Sequence, residues 1–158
     1  MIPTIHLICG FIGFGKTTIA RELEQNLPAV RFTHDEIMRE RYGRNPDDFQ
    51  TKYKLIDDYI RQEAAKAIAS GKNVIMDYGF WSKENRKEYY DWAKTLTPNV
   101  VFHAVLCDIA TAKKRTLQRT ATDSDALFID EGIFDVLLQK FSPISPDEEY
   151  KVIYHNND

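Results

Sequence analysis

Residues Gly10-Phe11-Ile12-Gly13-Phe14-Gly15-Lys16-Thr17 satisfy G-x-x-x-x-G-K-[ST] in full and follow directly on an apolar run from Ile5 to Cys9. A chain with this octapeptide between a strand and a helix must wrap its backbone N–H groups around an anion. Gly10, Gly13 and Gly15 permit that turn, because a Cβ there would clash or φ must become positive. Lys16 adds a mobile positive charge for the β- and γ-phosphates. Thr17 offers a hydroxyl to Mg²⁺, and the helix that opens here points its N-terminal dipole at the same anion. The expected phosphate contacts are Gly10, Gly13, Phe14, Gly15, Lys16, Thr17 and Thr18. A glycine-rich turn beside an ordinary surface lysine is the weaker reading, since four specified positions coincide with the strand-before, helix-after context. The motif points to a nucleoside triphosphate and is silent on the phosphate acceptor.

Composition narrows the partners. The 158 residues, 43% of them apolar and 12% aromatic, suit one domain spanning 1–158 with one buried core. Lys plus Arg number 21 against 24 Asp plus Glu, a net charge of −3. That balance disfavours tracking along a nucleic-acid backbone, although gripping one strand end stays open. Cys9 and Cys107 fall in apolar runs without metal-ligand spacing and read as buried, reduced thiols. With no charged leader and no apolar run near the ~18 residues of a membrane span, the expectation is a cytoplasmic protein with no membrane partner.

Along the chain, Thr4 to Cys9 reads as a strand buried on both faces. Ile19, Leu23 and Leu27 recur at helical spacing up to Pro28. Ala29 to Thr33 is strand-like and leads to Asp35, a candidate cap for a helix over Ile37 to Tyr42. Pro46 to Ser70 keeps a helical period and ends at Gly71. Asn73 to Asp77 is a second buried strand, followed by Tyr78-Gly79-Phe80-Trp81 and the N-cap candidate Ser82. Val100 to Cys107 is a third, and Asp108 caps a helix carrying Lys113, Lys114, Arg115 and Arg119. Thr120 to Ser124 is polar and expected to be mobile, a short amphipathic helix covers Ile133 to Phe141, and Lys151 to Tyr154 is a last strand.

This alternation predicts an α/β fold: five parallel strands covered by helices on both faces, with ligands bound at the carboxyl ends of the strands. Gly10, Asp35 and Asp77 are each expected just past a strand end, facing one crevice.

With the phosphate loop first, Asp35 after the second strand, Asp77 after the third and an arginine pair after the fourth, the chain resembles the small P-loop kinases. It is most similar to AAA_33-type ATP-binding proteins related to polynucleotide 5′-hydroxyl kinases, zeta-type toxins and chloramphenicol phosphotransferase. The likeness covers nearly the whole length. It implies a P-loop NTPase three-layer fold, ATP and Mg²⁺ as cofactors, a mobile lid around 111–128, and transfer of a phosphoryl group to an unidentified hydroxyl-bearing substrate. The rival reading is a nucleotide-binding switch that hydrolyses slowly; no N-K-x-D guanine motif supports it. A mechanical ATPase of the AAA type would need a helical lid domain that this length does not accommodate.

The resemblance also assigns roles. Asp35 would orient or deprotonate the acceptor hydroxyl, against the alternative of a helix cap. Asp77 would hold Mg²⁺ as in a Walker B arrangement, against a turn-initiating Asp. Arg115 and Arg119, four apart on one helix face, would close over the phosphates, against a solvated basic face. Arg39 and Arg86 are candidate substrate contacts. Tyr78, Phe80 and Trp81 are either local core or a stacking surface for a planar substrate.

Overall fold

The computed structural model describes residues 2–124 and 126–157, so residue 125 of the expected lid lies outside the described residues. In chain order the elements are β1 (Thr4–Cys9), α1 (Lys16–Asn26), β2 (Ala29–Thr33), α2 (His34–Tyr42), α3 (Phe49–Ala69), β3 (Asn73–Gly79), α4 (Lys83–Leu96), β4 (Asn99–Leu106), α5 (Ile109–Thr122), α6 (Glu131–Leu138) and β5 (Val152–Asn156). The five strands form one parallel sheet in the order β2-β3-β1-β4-β5. β1 takes the centre because its apolar side chains are shielded on both faces.

Alternation along the strands divides the core in two. Ile5, Leu7 and Cys9 join Ile56, Ile60 and Phe102 under α3 and α4. Ile8 joins Ile75, Val105, Ile19 and Ala20 under α1, with Phe11, Phe14 and Phe134 completing that cluster. The helix ends follow local side-chain chemistry: Ser82, Asp108 and Asp130 accept from the backbone N–H three residues on at 3.0, 3.1 and 2.8 Å. Gly71, at φ 84°, closes α3 with bonds from Gly71 and Lys72 back to Ile68 and Ala67.

Several boundaries depart from the sequence expectation. β3 runs two residues beyond Asp77, because Gly79 still pairs with Cys9 across a register shift that leaves Tyr78 extra. Asp77 is therefore inside the strand, level with Ile8 and Thr33. α2 starts directly from β2, so Asp35 lies in its first turn, and Thr33 holds the N-cap position without a side-chain bond. The 120–122 stretch, expected to be mobile, continues α5, whereas α6 stops before Phe141. β4 ends at Leu106, leaving Cys107 half-buried beyond it, while Cys9 is buried as expected.

Arg86, expected at the substrate, is instead a structural hub. Its side chain is fully buried, and all five of its N–H donors are engaged. Nε and Nη2 donate to the two carboxylate oxygens of Glu148 at 2.7 and 2.9 Å. Nη1 donates to the carbonyls of Phe80 and Ser142 at 2.9 and 2.7 Å, and Nη2 reaches that of Pro143 at 3.3 Å. The planar guanidinium thus ties the turn after β3 to the proline-rich connection before β5. No donor is left for a substrate. Because Glu148 is itself buried, Arg86→Ala strands a carboxylate in the interior and should lower the unfolding free energy by about 3–5 kcal/mol in urea titrations. A surface substrate arginine would change it by no more than ~0.5 kcal/mol.

Candidate active site

The loop between β1 and α1 has the shape its glycines imply. Gly10 N–H donates to Gly79 O at 2.9 Å, and Phe14 N–H closes a turn on Phe11 O at 3.1 Å. Gly13 and Gly15 take φ of 78° and 90°, a region disfavoured for other residues. Both are also crowded from outside: a Cβ on Gly13 would stand 2.4 Å from Ala112 O, and one on Gly15 would stand 1.7 Å from Asn157 Nδ2. Gly15 is the N-cap of α1, so the amides of Lys16, Thr17 and Thr18 open a helix without intrahelical partners.

The loop's non-glycine positions are anchored beneath it. Phe11 and Phe14 are buried and pack edge-on at 6.1 Å. Phe11 also meets Trp81, Phe134 and Phe141 at centroid distances of 5.0, 5.2 and 5.4 Å. Trp81 therefore belongs to the loop's foundation. Tyr78 and Phe80 stack at 5.4 Å within the other core cluster, and the Tyr78 hydroxyl donates to Asp57 at 3.0 Å. None of the three forms a free stacking surface.

Thr17 Oγ1 donates to Asp77 Oδ2 at 2.8 Å. Asp77 is buried, and that burial raises its pKa above the ordinary carboxylate value, opposed by the Lys16 charge and the Thr17 hydroxyl. A buried carboxylate beside a threonine hydroxyl and a phosphate loop fits Mg²⁺, which takes one or two protein oxygens and fills the rest of its octahedron with phosphate and water. No group of three or more His, Cys, Asp or Glu side chains forms a metal cage among the described residues. Such a cage is not what nucleotide-bound Mg²⁺ requires.

Asp35 reaches the same place from β2. Its charge and that of Lys16 both bear on Asp77, so the three groups lie near one another. The Asp35 side chain is exposed, unlike that of Asp77. Its neighbour His34 fixes the start of α2 by stacking on Tyr53 at 3.7 Å, with Nε2 3.1 Å from Tyr53 O. Arg39, one turn further, is half-buried, and its guanidinium makes no hydrogen bond or ion pair among the described residues.

The two arginines of α5 separate. Arg115 Nη1 donates to Gly13 O at 3.4 Å and Asn157 O at 3.1 Å and approaches Cys107 Sγ at 3.4 Å. It grips the loop from the carbonyl side, opposite the side that would face phosphate, which corrects its expected place in the clamp. Arg119 is exposed, and its guanidinium has no polar partner among the described residues. The end of α5 is tied across to the α2–α3 connection, where Arg44 Nη2 donates to Thr120 O and Phe128 N–H donates to Arg44 O, both at 2.8 Å. Sequence reasoning missed Arg44 and Asn157, which lie in no motif. It also missed Glu148, whose acidic neighbours in Asp147-Glu148-Glu149 gave no sign of burial.

Comparison with known proteins agrees with this geometry. A candidate kinase from Chloroflexus aurantiacus J-10-fl superposes with a TM-score of 0.74 at 16% identity, covering 99% of this chain and 89% of that one. Kti12 of Chaetomium thermophilum, solved with ADP-AlF3, gives 0.74 at 14% identity, covering 96% and 87%. A gluconokinase from Sinorhizobium meliloti 1021 gives 0.61 at 14% identity, covering 99% and 83%. These likenesses establish the P-loop kinase fold. No curated protein matches the chain. The AAA_33 profile, described as an AAA domain, matches residues 5–144, and the chain belongs to that family.

Proposed function

We propose that the protein is an ATP- and Mg²⁺-dependent kinase that transfers the γ-phosphoryl group to a hydroxyl of a small molecule or a nucleic-acid end. The observation that carries this reading is the Thr17–Asp77 contact at 2.8 Å beside Lys16, with the exposed carboxylate of Asp35 nearby. One carboxylate is buried where a metal would sit, and the other is free where an acceptor would enter. The kinase fold and the family membership support nucleotide-dependent phosphotransfer in general.

In this reading the loop amides and Lys16 bind the β- and γ-phosphates and spread the charge that develops on the equatorial oxygens. Thr17 and Asp77 would hold Mg²⁺, which would neutralise phosphate charge when bound. Asp35 orients the acceptor hydroxyl and takes its proton as the new O–P bond forms and the bond from γ-phosphorus to the bridging oxygen breaks, releasing ADP. Arg119, rather than Arg115, is the α5 residue available to meet the transferring group. Such arginines contribute on the order of 10³ to 10⁵ in rate. Arg39 is the cation available to an anionic part of the acceptor.

A screen with labelled ATP over sugars, nucleosides, oligonucleotide ends, nucleotide sugars and hydroxyl-bearing antibiotics would identify the acceptor. With it in hand, Asp35→Asn should keep Mg²⁺·ATP binding and lose roughly 10²-fold or more of the transfer rate in single-turnover kinetics. Asp77→Asn should instead raise the Mg²⁺ concentration needed for half-maximal rate. Lys16→Met should weaken ATP binding measured by calorimetry while the urea midpoint stays unchanged, because that half-exposed side chain donates only to a loop carbonyl. If no acceptor is phosphorylated and the Asp35 variant hydrolyses ATP at the parent's slow rate, the protein is a nucleotide switch.

A further inference from the structure

Three histidines form an unbroken chain across neighbouring strands on the α1 side of the sheet. His6 Nδ1 lies 2.9 Å from His103 Nε2, and His103 Nδ1 lies 2.9 Å from His155 Nε2. The ring centroids are 5.1 and 5.2 Å apart. His6 in β1 and His103 in β4 are buried, at 9% and 2% exposure, and His155 in β5 is half-buried. Nothing in the proposed phosphoryl transfer uses them.

Beyond the chain, β5 leads straight to the phosphate loop. Asn157 follows His155 by two residues, and its N–H donates to Leu106 O at 2.8 Å. Its Nδ2 donates to Phe14 O at 3.0 Å, and its own carbonyl accepts from Arg115, which also holds Gly13 O. One residue thus joins two carbonyl-side contacts of the loop.

We propose that Asn157 is a positioning residue of the phosphate loop, and that the His6–His103–His155 chain sets where it stands, so that acid loosens β5 and the loop together. The proposal rests on reading Gly10–Thr17 as the nucleotide site.

The chemistry of the chain supplies the pH sense. Each neutral imidazole has one N–H, so three in line satisfy both links with a single direction of donation. Once two protons are added, two N–H groups must face each other across a 2.9 Å gap and a link is lost. Burial opposes even the first: it lowers the pKa of His6, helped by Lys151, and with the neighbouring rings pushes that of His103 down to about 3. Lys151, on the segment entering β5, is the charged residue that bears on His6, and His6 and His155 on the flanking strands β1 and β5 are the titratable groups that bear on His103. The sign follows. His103, held below its ordinary pKa where β5 covers it, binds fewer protons with β5 docked than released, so docking is fully favourable above about pH 6.5 and weakens as pH falls below it, by about tenfold one pH unit lower.

Hydrogen exchange, corrected for intrinsic rates, tests this at about pH 7.5 and about pH 5.5. In the parent protein, peptides covering 152–157 and 10–17 should both lose about tenfold or more of their protection at the lower pH, while α4 peptides keep theirs. Asn157→Ala should loosen 10–17 already at the higher pH and remove its acid response, leaving that of 152–157 intact. His155→Gln, whose amide can donate and accept without titrating, should reduce the acid response of both segments. Retained loop protection while 152–157 opens would overturn the role of Asn157. Absence of any response in 152–157, or an equal loss in α4, would overturn the role of the histidines. Mg²⁺·ADP calorimetry at the higher pH separates the underlying reading: Asn157→Ala should weaken binding about tenfold, whereas no ADP binding by the parent would remove the nucleotide site and leave the exchange results to judge the positioning alone.

Discussion

A loop that turns its N–H groups toward an anion must turn its carbonyls away, and those carbonyls then need partners from the rest of the protein. Here Phe11 O accepts from Lys16 and Phe14 N–H, Gly13 O from Arg115, and Phe14 O from Asn157. Those donors come from the loop itself, from α5 and from the residue after β5. The same outward face excludes side chains at Gly13 and Gly15, because α5 and Asn157 occupy the space. Glycine at these two positions is therefore required twice, once by φ and once by packing. The loop's concave side is shaped by contacts made entirely on its convex side.

The site holds two carboxylates in opposite environments. Asp77 lies inside a central strand, where burial raises its pKa against the opposing pull of Lys16 and Thr17. Asp35 sits in the first turn of a helix that leaves the sheet directly, exposed and without a capping task. In the proposed mechanism the residue near the metal gains from being fixed, and the residue that would meet the acceptor gains from access. β2 and β3 pair in register at Thr33 and Asp77, which brings both carboxylates to one mouth.

Arg86 and Arg119 show what residue type alone leaves open. Both are arginines on helices that follow core strands. One is sealed against Glu148 and three carbonyls, and the other is exposed without a polar partner among the described residues. The difference arises because α4 carries Arg86 on its core-facing side, beneath the 142–148 connection, and burial of a guanidinium is tolerated only with all its donors engaged. Nothing within the sequence neighbourhood of Arg86 announces Glu148, 62 residues away.

The features legible in the sequence were those set by short-range rules. The loop's spacing, the buried strands, the helical periods and the caps at Ser82 and Asp108 all follow from groups a few residues apart; the caps stand where they were expected, and the strands and helices do so apart from their ends. The parallel α/β architecture followed from them, because strands joined by helices have few ways to pair. Only the tertiary structure decided the rest: the register that draws Asp77 into β3 and toward Thr17, the burial of Arg86, the seat of Arg115 outside the loop, and the line of His6, His103 and His155. These depend on partners tens of residues away in the chain. A linear sequence carries their identities without their adjacency, and adjacency is what folding supplies.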